Sequence, residues 1–170
     1  MVKNGFIALL LFVSSASFAQ KIEINTENAL VEFVFIEKGT KGTFDKVTVS
    51  VMLNPNDLSQ SIITGEAEVS SFRTDGPDRD KSMKSEHHFD VENFPKITFE
   101  GKDVVQEEGN YTVRGTLTIK GVSKEAAFNF SIQENEMIFE TLINAADFGV
   151  GIKKEKELNG VQVTIRIPLK

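Results

Sequence analysis

The chain has 170 residues, a formal net charge of −6 and no cysteine. An acidic balance without basic clusters argues against binding to nucleic acid and to anionic membrane surfaces. Without cysteine there is no disulfide framework, so the fold must rest on a hydrophobic core, which a chain of this length can build as one domain.

The N-terminus has the three-part layout of a secretory signal peptide. A lysine is followed by an apolar run over residues 6–13, and the small residues Ser17 and Ala19 precede the expected cut. A retained anchor is the alternative, disfavoured because the run is well short of the ~20 residues of a spanning helix. We predict a signal peptide over residues 1–19 and a single exported domain over residues 20–170, not embedded in a membrane. In a cell with two membranes this domain is periplasmic.

Period-two alternation of apolar and polar residues dominates the rest of the chain, and valine, isoleucine and phenylalanine occupy the apolar positions. The alternating or apolar runs cover residues 30–37, 47–53, 63–69, 97–100, 111–119, 128–132, 137–146 and 161–169. Short turns separate most of them, which predicts an all-β antiparallel meander of eight strands. A closed barrel is favoured because it removes exposed strand edges, although the pattern alone also allows a sandwich.

The alternation stops between residues 75 and 91. A glycine-proline pair interrupts the strand pattern, and Asp78 or Asp80 can cap a helix. Lysines follow at positions 81 and 84, where positive charge suits the end of a helix. This predicts a short helical crossover near residues 78–86 that lies over one end of the barrel.

His87 and His88, between Glu86 and Asp90, are the only sequence cluster that resembles a metal site. Adjacent histidines rarely bind one metal together, and the i, i+4 spacing of a helical zinc motif is missing, so we predict no metal. The sequence also lacks a Gly-x-Ser-x-Gly motif, a matching triad and a phosphate-binding glycine loop. We therefore predict no enzymatic activity and no cofactor, with a metal-assisted hydrolase at the two histidines as the least favoured alternative.

Four blocks follow one another between Ser70 and Lys124. They read Arg79-Asp80, Lys84-Ser85-Glu86-His87-His88-Phe89-Asp90-Val91, Pro95-Lys96-Ile97-Thr98-Phe99 and Gly115-Thr116-Leu117-Thr118-Ile119-Lys120-Gly121-Val122-Ser123-Lys124. This succession resembles the YceI-like family of exported lipid- and polyisoprenoid-binding barrels. Two positions depart from the family pattern, since His88 replaces an aromatic residue and Ala146 stands where an arginine is frequent.

The resemblance implies a lipocalin-like, eight-stranded barrel that holds one polyisoprenoid or other long-chain acyl lipid in its interior. The residues expected to line that channel lie on the apolar faces of the strands: Phe33, Phe35, Val49, Val69, Phe99, Val113, Leu117, Phe128 and Phe130. Candidate contacts for a headgroup at the mouth, near the crossover, are Arg73, Arg79, Asp80 and His88. For the Arg-Asp pair, a structural role in holding the crossover is favoured over a role in ligand binding.

The function that follows is carriage or sequestration of a lipid without catalysis. The alternative is a barrel whose interior is filled with side chains and which acts as an interaction module, with residues 75–91 as its docking surface. The sequence leaves the length and the headgroup of the ligand open. It also leaves the oligomeric state open and allows a homodimer.

Overall fold

The computed structural model describes residues 22–150 and 153–169, so the predicted signal peptide over residues 1–19 lies outside the described residues. Within them, one antiparallel sheet of eleven strands curls into a half-barrel around the hydrophobic core. The strands are β1 (Ile22–Thr26), β2 (Leu30–Phe35), β3 (Thr40–Phe44), β4 (Val47–Leu53), β5 (Ile62–Glu68), β6 (Phe72–Thr74), β7 (Lys96–Glu107), β8 (Asn110–Ile119), β9 (Val122–Ile132), β10 (Glu136–Asn144) and β11 (Gly160–Pro168).

The strand order across the sheet is β1-β4-β5-β7-β8-β9-β10-β11-β2-β3-β6. Strands β7 to β11 form a meander in which each strand pairs antiparallel with the next. The last strand, β11, pairs with β2 from Val161 opposite Phe35 to Arg166 opposite Leu30. The last strand of the described chain therefore lies beside β2, the second.

All eight predicted runs form strands, but the predicted count of eight is wrong. The additional strands β1 and β3 have five residues each and β6 has three. Each is separated from a neighbouring predicted strand by a short segment that is not extended, such as the 3₁₀ turn Val69–Ser71 between β5 and β6. Segments this short show too few alternations for a period-two pattern to be recognised.

The predicted crossover is the helix α1, Pro77–Lys84, slightly earlier than residues 78–86. Gly76 occupies its N-cap position and no side chain caps it, so the prediction of an aspartate cap is wrong. The carboxylate of Asp80 instead accepts hydrogen bonds from the backbone nitrogen of Thr74 at 2.9 Å and from its hydroxyl at 2.6 Å. These bonds tie α1 to β6. No helix in the part of the chain that the structure describes has the length and apolar character needed to cross a membrane.

The two ends of the curled sheet carry different connections. We call the end beside α1 the mouth end, and its described connections comprise residues 36–39, 75–95, 120–121, 145–150 and 153–159. The opposite end, called the far end, has the connections at residues 54–61, 108–109 and 133–135. The long connections, including the only α-helix of residues 22–150 and 153–169, therefore gather at the mouth end.

The far half of the curled sheet is filled by side chains. Leu53, Met137 and Ile167 are among the largest fully buried side chains of the described residues. The ring of Phe130 stacks between those of Tyr111 and Phe139, at centroid distances of 5.0 and 4.7 Å. These side chains fill the interior of that half.

Candidate functional site

The mouth half of the sheet surrounds a cavity of about 380 Å³. Small-molecule pockets have volumes of roughly 300–1,000 Å³, so the cavity can hold a ligand. Every described strand except β1 contributes to its walls, and α1 with the residues after it lies at the opening. The alternative of an interior filled throughout is correct for the far half and wrong for the mouth half.

Six of the nine predicted channel residues line this cavity: Phe33, Phe35, Val49, Phe99, Leu117 and Phe128. The structure places Val69, Val113 and Phe130 outside the lining, as a correction to the sequence prediction. Val113 and Phe130 face inward as expected, but they are buried in the far half. Val69 is buried in the 3₁₀ turn between β5 and β6. Ligand binding by the six lining residues stays a prediction.

Of the four residues predicted at the mouth, Arg79 and His88 line the opening, whereas Arg73 and Asp80 do not. Arg73 forms a salt bridge with Asp45 on the exterior of the sheet. The contacts of Asp80 go to β6, as described above. Neither residue lines the cavity, and the contacts described for both are structural. A headgroup contact by Arg73 or Asp80 stays a prediction.

The guanidinium of Arg79 is already engaged by the protein. Its Nη1 donates to Oδ1 of Asp75 at 2.8 Å and to the hydroxyl oxygen of Thr74 at 3.2 Å. The side chain of Arg79 is 45% exposed, so water weakens the attraction between the two charges. Arg79 thus connects α1 to the residues before it and also lines the cavity.

The imidazole of His88 carries a polar atom that the protein does not use. Its Nδ1 is buried and has no hydrogen-bond partner among the described residues. Burial lowers the pKa of His88, and the positive charges of Lys120 and His87 lower it further. A neutral imidazole offers one donor and one acceptor, and one of these is free at the place where a bound molecule would leave the cavity.

Three aromatic residues of the cavity lining, Phe44, Phe72 and Phe89, were missed by the sequence analysis, and they cluster around the predicted Phe33. Phe72 stacks on Phe33 at a centroid distance of 5.2 Å and contacts Phe44 and Phe89 at 5.5 Å each. Phe44 ends β3, Phe72 begins β6 and Phe89 follows α1, so all three stand at breaks where alternation is interrupted. The one available signal was Phe89, which belongs to the second of the four sequence blocks.

The wall between β9 and β10 is completed by a loop. The two strands pair only as far as Glu140 opposite Asn129, although both continue towards the mouth end. The 3₁₀ turn Ala145–Phe148 and the residues after it lie against this gap, with Phe148 and Val150 buried. Their burial shows that this loop takes part in the hydrophobic core.

No cluster of three or more His, Cys, Asp or Glu side chains suited to a metal ion occurs in residues 22–150 and 153–169. His87 is exposed, with its Nε2 4.0 Å from Oε1 of Glu86. The two histidines therefore differ in environment, since His87 faces water and His88 faces the cavity.

The family model of the YceI-like domain matches residues 22–170 of the chain. A UPF0312 protein of Staphylococcus aureus (strain N315) is 33% identical over 134 residues, which cover 72% of this chain and 76% of that protein. A UPF0312 protein of Photorhabdus laumondii is 31% identical over 126 residues, with 72% and 66% of the two chains covered. The chain belongs to the YceI-like family, which confirms the resemblance drawn from the four sequence blocks.

Solved structures show the same fold. The crystal structure of Burkholderia cenocepacia BcnA matches with a TM-score of 0.72 and 23% identity, covering 81% of this chain and 94% of that one. A polyisoprenoid binding domain from Saccharophagus degradans, implicated in plant cell wall breakdown, matches with a TM-score of 0.57 and 16% identity, covering 85% and 94% of the two chains. At these identities the likeness concerns the fold alone.

Proposed function

We propose that the protein is a lipocalin-like container that binds the tail of an isoprenoid or acyl lipid and carries or sequesters it without catalysis. The observation that carries this proposal is the cavity of about 380 Å³, lined mainly by aliphatic and aromatic side chains and open beside α1. Membership of the YceI-like family supports it, as does the polyisoprenoid-binding domain of Saccharophagus degradans with a similar fold.

The hydrophobic effect supplies enough free energy for such binding. Each methylene group that leaves water contributes ~0.8 kcal/mol, so a tail of about ten carbon atoms gains ~8 kcal/mol before ordering costs. A dissociation constant of about 1 μM corresponds to a net ~8 kcal/mol, so a longer tail is needed to reach it once the ordering costs are subtracted. The polar end of the lipid would stay at the opening, where His88 Nδ1 has no partner among the described residues.

The predicted export of the protein is consistent with carriage of a lipid through water. The signal-peptide layout of residues 1–19 and the acidic composition fit a protein that works in an aqueous compartment outside the inner membrane. A carrier in the periplasm shields an apolar tail from water between two membranes. The intact mass of the protein purified from an envelope fraction tests this, because it should correspond to a chain that begins at Gln20.

Native mass spectrometry of the protein purified from cells tests the binding proposal. We expect a population heavier than the bare chain by the mass of one lipid, which organic extraction and tandem mass spectrometry then identify. A bare mass calls for reconstitution with farnesol, geranylgeraniol and hexadecanol as probes. A bare mass together with failure to bind all three probes would overturn the proposal and favour an interaction module.

A further inference from the structure

The cavity ends at a common level on neighbouring strands. On β4 its lining stops at Val49, and the next inward-facing residue, Val51, is 1% exposed. On β8 the lining stops at Leu117, and the inward-facing Val113 is 0% exposed. The cavity therefore has a floor that rests on the filled far half.

Two phenylalanine rings meet at this level. Phe99 of β7 and Phe128 of β9 form an edge-to-face pair with a centroid distance of 4.7 Å. They lie on opposite sides of β8, where Phe99 pairs with Leu117 and Phe128 with Val113. Gly115 lies between these two positions of β8, and a Cβ atom built there would collide with the backbone of Glu100 and Gly101, so β7 and β8 approach closely beside the rings.

The side chains below the pair block any deeper passage. The next inward-facing residue of β9 after Phe128 is Phe130, whose ring is held between two others at 5.0 and 4.7 Å. Along β11 the lining extends from Val161 to Ile165, about 13 Å at the ~3.3 Å rise per residue of a strand. A tail that enters from the mouth end thus has a limited depth before it meets the rings.

We propose that Phe99 and Phe128 form the floor that sets the length of lipid tail the cavity accepts. The ligand class is a single-chain lipid that enters tail first and leaves its polar end at the opening. Carbon atoms beyond the depth of the cavity stay in water and add no affinity. This inference rests on the proposed function, and it makes the paired rings the residues that determine specificity.

Primary alcohols from octanol to eicosanol provide a probe series in which only tail length changes. Dissociation constants are measured by calorimetry below the aggregation concentration of each alcohol. For the unaltered protein we expect affinity to rise about fourfold per methylene until the tail reaches the floor, and then to stay constant. An affinity that rises through the whole series would overturn the floor.

Substitutions at the floor should move the length at which affinity becomes constant. Phe99→Ala opens space below the present floor, so the plateau should move to longer alcohols. Phe99→Leu keeps most of the packing and should move the plateau in the same direction. It replaces the alanine variant in the test if that variant does not fold. Val161→Ala, on the cavity wall near the opening, is the matched control and should leave the position of the plateau unchanged.

The outcomes separate this inference from the proposed function. If no alcohol binds to the unaltered protein, the proposed function fails and the inference fails with it. If alcohols bind but the plateau keeps its position in the folded Phe99 variants, lipid binding stands and the assignment of the floor is wrong. Movement of the plateau in a Phe99 variant and not in Val161→Ala supports the floor.

Discussion

A leucine in place of Gly65 should fill the cavity from its wall. Gly65 lies on the inward-facing side of β5 between the buried residues Ile63 and Ala67, and it lines the cavity. A Cβ atom built at this position meets no atom within 4 Å, whereas at Gly42 it would lie 2.3 Å from the ring of Phe33. The Cβ atom of Gly65→Leu therefore enters open space on the cavity wall, and we expect the rest of the side chain to extend into the cavity.

The structure sets opposite signs for the effects on stability and on binding. Burial of a leucine side chain contributes about 1.5–3 kcal/mol, and the loss of a glycine from a strand adds about 0.5–1 kcal/mol. These terms add up to about 2–4 kcal/mol, and we expect the free energy of unfolding to rise by about 2–3 kcal/mol, the lower part of that range, since one side of the leucine still faces the cavity. The four carbon atoms of the leucine side chain take the place of about four carbon atoms of ligand. This weakens binding by ~3 kcal/mol, which raises Kd on the order of 200-fold.

Two assays on the same protein test this prediction. Urea denaturation gives the free energy of unfolding, and calorimetry with hexadecanol gives the dissociation constant. Thr64→Leu is the matched control because it adds a leucine to the outer face of the same strand, where neither quantity should change much. Unaltered affinity in a stable Gly65→Leu protein would show that the ligand does not occupy the cavity. A strongly destabilised protein would show that the space beside Gly65 is not available.

Three further predictions concern the opening and the loops around it. Burial lowers the pKa of His88 below its ordinary value of 6.5, so as the pH falls the unfolded chain binds a proton there at a higher pH than the folded chain does. The free energy of unfolding should therefore fall as the pH drops below about 6.5. His88→Phe should reduce this fall, which urea titrations at several pH values measure. Asn159 is fully buried and its Nδ2 donates to the carbonyl oxygens of Lys153 at 3.1 Å and Glu155 at 2.9 Å, so Asn159→Asp should lower the unfolding free energy by about 1–3 kcal/mol in thermal melts. Asp80→Ala removes two hydrogen bonds of a charged group to β6, so it should cost about 1.5–3 kcal/mol and speed amide hydrogen exchange in α1.

Neighbouring residues supply the controls. His87→Phe alters an exposed imidazole and should leave the pH dependence as it is; equal slopes for the two histidine variants would contradict the assignment to His88. Asp78→Ala removes an exposed carboxylate of the same helix and should leave amide hydrogen exchange in α1 unchanged. If exchange in this variant is as fast as in Asp80→Ala, the hydrogen bonds from Asp80 to β6 are not what stabilises the helix. An unchanged melting temperature for Asn159→Asp would contradict the role of that amide in the loop.

Period-two alternation predicted the strands well where it was long enough to be recognised. Each of the eight predicted runs is a strand, and α1 lies in the one interval where alternation stops. The pattern failed at β1, β3 and β6, which are held by pairing with β4, β2 and β3 rather than by a pattern of their own. Pairing with a distant strand is a tertiary contact that local alternation does not contain.

The candidate site was predicted in part for a related reason. Alternation separates inward-facing from outward-facing side chains, and Val113, Leu117, Phe128 and Phe130 all face inward as expected. It does not give the height of a residue within the curled sheet, which depends on strand register and tilt. That height decides that Leu117 and Phe128 line the cavity while Val113 and Phe130 fill the far half.

By itself the sequence determined the family, the all-β class, the position of the helix and the faces of the long strands, because these follow from local pattern and from four ordered sequence blocks. The tertiary structure decided that the interior is half cavity and half core, since empty volume depends on how side chains from distant strands meet. It also decided which residues Arg73 and Asp80 contact. Arg73 binds Asp45, 28 residues earlier in the chain, and Asp80 binds Thr74, 6 residues earlier. Each pair comes together only when β3, β6 and α1 assemble.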